Sequence, residues 1–111
     1  MEYVIKERGS DDIIAYGIED ESMLILEDSW YFAPDQVNMS VLRRTDRTYT
    51  CPYKGVCYWL DLETPHASAQ NIAWVYQTPK RGYEGIKDMI GFYSHDTAGT
   101  IAAKSPMHQN A

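Results

Sequence analysis

The turn at residues 51–55, with the sequence CPYKG, contains the side chains best suited to chemistry in this chain. A desolvated lysine has a lowered pKa and acts as a nucleophile or base, and a cysteine beside a cation forms a thiolate nucleophile. Lys54 and Cys51 are therefore weak candidates for catalytic residues. The structural alternative is that the Lys54 stem packs on tyrosine rings, with its ammonium on a carboxylate, and that Cys51 is a buried small hydrophobic residue.

Aromatic residues around this turn and in later strands form a candidate ligand-binding site. Small-molecule sites are mostly apolar clefts in which a few polar groups converge on the ligand. A lysine in the wall of such a cleft suits a small ligand that carries a carbonyl group or a negative charge. The predicted ligand-binding residues are Tyr53, Lys54, Trp59, Trp74, Tyr76 and Tyr93. Core packing is the alternative for each ring, since aromatic side chains dominate ordinary cores.

The sequence predicts neither a metal site nor a cofactor. A structural zinc ion usually has four Cys or His ligands, commonly in two close pairs. Here the cysteines are Cys51 and Cys57 alone, and the histidines, His66, His95 and His108, are scattered. The N-terminal residues lack the apolar core and cleavage site of a signal peptide, so we expect a cytoplasmic protein. Its thiols should then stay free, because disulfides are rare in the cytosol.

Charge is distributed unevenly along the chain. The formal net charge is −6, and residues 1–35 contain ten acidic and two basic residues. An acidic protein repels phosphate backbones, so nucleic acid is not an expected partner. No apolar run approaches the ~20 residues that span a bilayer, so a membrane is not an expected partner either. The expected partner is a small molecule.

The hydrophobic pattern predicts a mainly β protein that forms one domain over residues 1–103, with its core in residues 10–95. Short runs rich in β-branched and aromatic residues alternate with turn residues. Predicted strands cover residues 11–18, 23–27, 29–34, 37–42, 44–50, 56–63, 71–77 and 91–93. Helical spacing of apolar residues predicts one short helix near residues 80–90, and residues 104–111 read as a disordered tail.

The strand predicted at 56–63 has the clearest alternation. Its even-numbered residues, from Val56 to Leu62, are apolar and should face a core. Trp59 falls on the opposite face together with acidic residues. At that position the ring either covers a neighbouring residue or lines a cleft.

Four motifs, in this order and spacing, resemble a known family. They are WYFAP (30–34), CPYKG (51–55), NIAWVY (71–76) and IGFY (90–93). Over roughly residues 10–95 the chain is similar to domain-of-unknown-function family number 427, which some catalogues label nucleotidyltransferase-like. The resemblance implies a small β-tent domain, in which two antiparallel sheets meet along one edge. Many tent-shaped domains hold zinc with four cysteines, and this chain lacks that set.

Three functions stay open at this point. The first is small-ligand binding in the aromatic cleft beside CPYKG. The second is an enzyme, either of the nucleotidyltransferase kind or one that uses Lys54 or Cys51 covalently. Gly9-Ser10 followed by an acidic turn at 19–21 superficially resembles a nucleotidyltransferase motif. It lacks the spacing that would direct two carboxylates to the same metal ions. The third is an interaction module that forms a homo-oligomer through strand edges or Trp59.

Overall fold

In the computed structural model, which describes residues 1–106, nine strands form two antiparallel sheets. Strands β1, β2 and β9 make a three-stranded sheet in the order β2-β1-β9, and the other six follow the order β3-β4-β8-β7-β6-β5. The strands are β1 Glu2–Glu7, β2 Ile13–Ile18, β3 Met23–Leu26, β4 Ser29–Phe32, β5 Leu42–Cys51, β6 Gly55–Glu63, β7 Ser68–Val75, β8 Ile90–Tyr93 and β9 Thr100–Ser105. The predicted mainly β fold with two antiparallel sheets is confirmed, and the tent description stays a prediction.

The three-stranded sheet contributes a strand that the sequence did not predict. Strand β1 lies at its centre and pairs with both β2 and β9. Alternate residues of β1 are buried, so Tyr3, Ile5 and Glu7 share the inward face. Tyr3 and Ile5 join the main hydrophobic core, whereas Glu7 brings a carboxylate to the end of the same face.

The six-stranded sheet has an apolar cluster on each face. One face meets the three-stranded sheet in the main core, to which it contributes Leu60, Leu62 and Phe92. The opposite face carries a second cluster built around Tyr31, Trp74 and other aromatic residues. Because neighbouring residues of a strand point to opposite faces, the sequence of each central strand divides between these two clusters.

Alternation in β6 holds only in part. Leu60 and Leu62 are buried as predicted, but Val56 is 41% exposed. Cys57 lies on the same face as Trp59, as alternation predicts, and is buried there in the second cluster. Val56 lies opposite Thr50 near the outer end of the β5–β6 hairpin, beyond the reach of the main core.

Two predicted elements differ from the structure. The short helix near 80–90 is a single 3-10 turn at Glu84–Ile86, because Gly82 just before it has a φ of 94° and Asp88 just after it a φ of 61°. Positive φ angles are incompatible with a right-handed helix. The strand at 37–42 is a 3-10 turn at Met39–Val41, and extended structure begins only at Leu42. Each described helical turn is three residues long, too short to cross a membrane.

The C-terminal strand extends the ordered domain past residue 103. Strand β9 includes Lys104 and Ser105, which the sequence assigned to a disordered tail. Its backbone pairs with β1 along the whole length of both strands, from Glu2–Ser105 to Glu7–Thr100. Residues 107–111 of the predicted tail lie outside the described part of the chain.

Candidate ligand-binding site

A cavity of about 170 Å³ lies on the outer face of the six-stranded sheet, beside the CPYKG turn. Strands β4 to β8 and the turn all contribute side chains to it, so residues distant in sequence meet there. Its walls are formed by Ser29, Tyr31, Tyr49, Lys54, Cys57, Trp59, Trp74, Tyr76 and Tyr93. We call it the aromatic pocket.

Trp74 is the central ring of the aromatic pocket and is held on two sides. Its Nε1 donates a hydrogen bond of 3.1 Å to the buried hydroxyl of Tyr31. Its indole lies directly on Gly91, the residue opposite it in β8, where a Cβ atom would be only 2.4 Å from Nε1. Gly91 is therefore required for the close approach of the tryptophan to the neighbouring strand.

The rings around Trp74 meet it edge to face. The ring centroids of Trp74 and Tyr93 are 4.9 Å apart at an interplanar angle of 72°. Those of Trp59 and Trp74 are 5.9 Å apart at 81°. Perpendicular contacts of this kind are favoured by the aromatic quadrupoles, and they fix the rings as walls that stand at an angle to one another.

Lys54 enters the aromatic pocket as a paired cation. Its Nζ donates hydrogen bonds to the Glu27 carboxylate and, at 3.7 Å, to Cys51 Sγ, and it lies 5.7 Å from the centre of the Tyr83 ring. Burial alone would lower the pKa of Lys54, but the Glu27 hydrogen bond and the neighbouring charges raise it above its ordinary value. A lysine held in its charged form suits electrostatic or hydrogen-bonding recognition and not covalent attack.

Cys51 lies behind Lys54, outside the lining of the aromatic pocket. Its Sγ accepts a hydrogen bond of 3.4 Å from the backbone N–H of Lys54. Burial alone would raise the pKa of Cys51, but this bond, a second one from the Tyr53 backbone and the ammonium of Lys54 lower it overall. Cys57 does line the pocket, and burial raises the pKa of its thiol. The thiol whose pKa is lowered is therefore the one that does not line the cavity.

The phenols of the aromatic pocket are hydrogen-bond donors at neutral pH. Burial raises the pKa of Tyr31, Tyr76 and Tyr93 above the ordinary value of a phenol. Neutral hydroxyl groups and one ammonium thus face a cavity that is otherwise apolar. This combination suits a ligand with a flat or compact apolar body and an oxygen that accepts hydrogen bonds.

The structure brings together five of the six predicted ligand-binding residues. Lys54, Trp59, Trp74, Tyr76 and Tyr93 all line the aromatic pocket. Tyr53, the sixth, is 71% exposed and lies outside it. Four lining residues were not predicted, namely Ser29, Tyr31, Tyr49 and Cys57. Alternation along the predicted strands was the signal that would have added Tyr31, Tyr49 and Cys57 to the face that carries Trp59 and Trp74.

The volume limits what the aromatic pocket can enclose. An apolar cavity of about 150 Å³ accommodates a benzene molecule. Drug-sized ligands occupy pockets of about 300–1,000 Å³. At about 170 Å³, this pocket encloses a group about the size of a single ring.

Two residues of the segment that resembles a nucleotidyltransferase motif, Glu19 and Ser10, form hydrogen bonds with other side chains. Glu19 accepts a hydrogen bond of 2.9 Å from the Tyr3 hydroxyl, and Ser10 donates to Glu7. Within residues 1–106, no group of three or more His, Cys, Asp or Glu side chains is arranged to hold a metal ion.

Comparison with known proteins gives a fold and a family. No curated protein matches the chain. A solved structure described as the Mis18 "Yippee-like" domain is similar at a TM-score of 0.64 and 15% sequence identity, over 96% of this chain and 99% of that one. At such low identity the likeness concerns the fold alone. Residues 20–103 match the family described as domain of unknown function DUF427, and this match covers most of the chain. The chain therefore belongs to the DUF427 family.

Proposed function

We propose that this domain binds a small molecule through the aromatic pocket, which encloses a ring-sized part of the ligand and presents Lys54 to an oxygen of that ligand. The observation that carries the proposal is the convergence of Lys54 with aromatic rings from several strands around one cavity. These rings leave an open depression on the outer face of the sheet, and Lys54 is the one cationic residue among residues 1–106 that lines it.

Lys54 supports a ligand with an acceptor oxygen, whether a carboxylate or a carbonyl. An ammonium has three protons, and two of them are directed to Glu27 and Cys51. The third is available to a ligand. Because Glu27 already balances the charge, an anionic ligand gains less from Lys54 than it would from an unpaired lysine.

The enzyme alternative has weaker support. Lys54 is held as a cation, and Cys51, whose pKa is lowered, lies outside the lining of the cavity. The interaction alternative is also weaker, because Trp59 itself is half-buried against Trp74. The free thiols of Cys51 and Cys57 support a reducing compartment, so the proposal includes a cytoplasmic location.

A matched pair of ligands tests the proposal. Benzamide and benzoate share one ring and differ in charge, and their binding to the full chain can be followed by saturation-transfer NMR. We expect both to bind, and we expect Lys54→Met to weaken benzoate by about tenfold or more, because a charged hydrogen bond is lost.

The chain supplies its own control in the same turn. Tyr53→Ala removes an exposed ring next to Lys54 and should leave both affinities unchanged. A second variant, Gly91→Ala, pushes Trp74 into the pocket and should abolish both. If neither compound binds the wild type, and if native mass spectrometry of protein from its own host shows no retained small molecule, the proposal is wrong.

A further inference from the structure

A second cavity lies where the end of β1 and the start of β2 face the β6–β7 loop. Its volume is about 430 Å³, within the range that small-molecule sites occupy. Glu7 lines it together with Asp12, Asn38, Thr64 and His66. We call it the acidic cavity. It shares no lining residue with the aromatic pocket.

Glu7 is the buried charge of the acidic cavity. Strand alternation places it on the inward face of β1, and it is only 3% exposed. Its Oε2 accepts a hydrogen bond from the Ser10 hydroxyl, whereas its Oε1 is buried and has no hydrogen-bond partner among residues 1–106. Buried carboxylate oxygens almost always have partners, so an orphan oxygen beside a cavity indicates a partner other than residues 1–106.

The charge state of Glu7 follows from its neighbours. The Ser10 hydrogen bond is the largest influence and lowers its pKa, and the Thr64 hydroxyl and the His66 ring lower it further, against the effect of burial. Glu7 is therefore an anion at neutral pH. The cavity contains a negative charge that its own neighbours only partly compensate.

Few hydrogen-bond donors are directed at Glu7 in the acidic cavity. The Thr64 hydroxyl donates to the Ala67 carbonyl at 3.3 Å, and that carbonyl also accepts from the Thr64 backbone N–H at 2.9 Å, so the hydroxyl can turn to Glu7, but it adds no positive charge there. The Thr64 oxygen already accepts from the backbone of His66 and Ala67. Asp12 adds a second carboxylate, which is exposed and can only accept when ionised. A cationic donor in the cavity would balance the charge that neutral hydroxyl groups leave in place.

From this arrangement we infer that the acidic cavity binds a small organic cation, namely a primary ammonium or a guanidinium group on a short apolar chain. The cationic group donates to Glu7 and to Asp12. The apolar chain lies on Ile14 and Val41, which form part of the same wall. The excess of acidic residues in the N-terminal segment, ten acidic against two basic residues in 1–35, favours a cation over an anion as the ligand.

The inference is independent of the function proposed for the aromatic pocket. The match to the DUF427 family begins at residue 20, so Glu7 and Asp12 lie outside the matched segment. A cation site there would be a property of this chain's N-terminal strands, and either site can exist without the other.

Three ligands with the same four-carbon chain test the inference. Butylammonium, butylguanidinium and 1-butanol are titrated into the full chain while backbone amides are followed by ¹⁵N NMR. Saturable shifts at Ile14, Asn38 and Thr64 are expected for the two cations. 1-Butanol should bind at least about tenfold more weakly than the two cations, because it lacks the charged hydrogen bond.

Matched charge variants locate the cation. Glu7→Gln should lower the affinity for both cations by about tenfold or more. Asp12→Asn should lower it by a smaller factor, since Asp12 is exposed. Asp35→Asn removes one charge from the same acidic half but lies outside the cavity, and it should change nothing. If Glu7→Gln does not fold, Asp12→Asn compared with Asp35→Asn decides the question.

Each contrary result overturns the inference. Equal binding of 1-butanol and the cations would show an apolar site only. Equal losses in Asp12→Asn and Asp35→Asn would show diffuse attraction to an acidic surface. Unsaturable shifts for both cations would show that no site exists there.

Discussion

Asp61 and Glu7 are both buried carboxylates, each 3% exposed, but the protein surrounds them differently. Asp61 forms ion pairs with Arg47 and, at 3.5 Å, with Arg43, and it accepts a hydrogen bond of 2.9 Å from the Asn71 backbone. Glu7 accepts only from Ser10, and one of its oxygens has no partner within the described chain. Two arginines balance the charge of Asp61, whereas no ion pair forms with Glu7 within residues 1–106.

The difference arises from where each acid lies in its sheet. Asp61 is inside β6, two residues before its end, directly opposite Arg43 of β5, and a register shift in the β6–β7 ladder turns the Asn71 N–H towards it. The φ of Asn71 is 58°, which marks the irregular backbone at this point. Glu7 is the last residue of β1, and beyond it the chain turns away. A ladder supplies partners along its length but not past its end.

Removing Asp61 should have the largest effect on stability. We expect Asp61→Ala to lower the free energy of unfolding by about 2–3 kcal/mol, because the Asn71 N–H loses its acceptor and two arginines lose their buried partner. Urea denaturation measures this loss. Glu63→Gln is the control, since it removes only the exposed partner of Arg43 and should cost about 0.5 kcal/mol or less. Equal costs would mean that burial does not distinguish the two acids.

Low pH should destabilise the protein by protonating the Asp61 carboxylate. Burial alone would raise the pKa of Asp61, but the Arg47 hydrogen bond, the Asn71 N–H and the two arginine charges lower it overall. A lowered folded-state pKa means that the unfolded chain binds more protons, so stability falls as the pH drops below about 4. In Asp61→Asn, the free energy of unfolding should fall less steeply with decreasing pH, as measured by urea denaturation between about pH 2 and pH 5. An unchanged slope would contradict the assignment.

The sequence allowed much of the aromatic pocket to be predicted, and little of the acidic cavity. Rings at alternate positions of neighbouring strands share a face, so Trp59, Trp74 and Tyr93 converge once the strands are known. The position of Tyr53 could not be predicted in this way, because it lies in a turn, where no alternation fixes the direction of a side chain. Glu7 was not considered, because β1 was not predicted. Its partner β9 is alanine-rich, a composition with weak strand preference, and only pairing across the whole chain makes it a strand.

Glu7→Gln should destabilise the protein less than Asp61→Asn does, which tests the comparison directly. The variant keeps an oxygen that can accept from Ser10, and its new N–H groups can donate within the acceptor-rich cavity. We expect its melting temperature to fall by less than half of the fall in Asp61→Asn, measured side by side at pH 7. A larger loss than that of Asp61→Asn would show that Glu7 is a structural acid, and the two sites would then be alike.

Lys54→Met should have the smallest effect on stability, but it should lower the reactivity of the Cys51 thiol. Lys54 resembles Asp61 in having its partners within the chain, but its partner Glu27 is 51% exposed, so the ion pair contributes about 0.5 kcal/mol or less. The same substitution removes the cation that helps to lower the pKa of Cys51. Alkylation of Cys51 by iodoacetamide at pH 7.0, followed by peptide mass spectrometry, should therefore become slower, because the thiolate is the reactive form.

Lys80→Met is the matched control for that experiment. The Lys80 ammonium donates to the Pro52 carbonyl in the same turn at 3.0 Å, but it forms no hydrogen bond with the Cys51 thiol. Loss of either lysine disturbs the turn, and only loss of Lys54 removes the charge beside Sγ. Slower alkylation in Lys54→Met alone would assign the effect to that charge. Equal slowing in both variants would assign it to the conformation of the turn, and Lys54 would then have no electrostatic role towards the thiol.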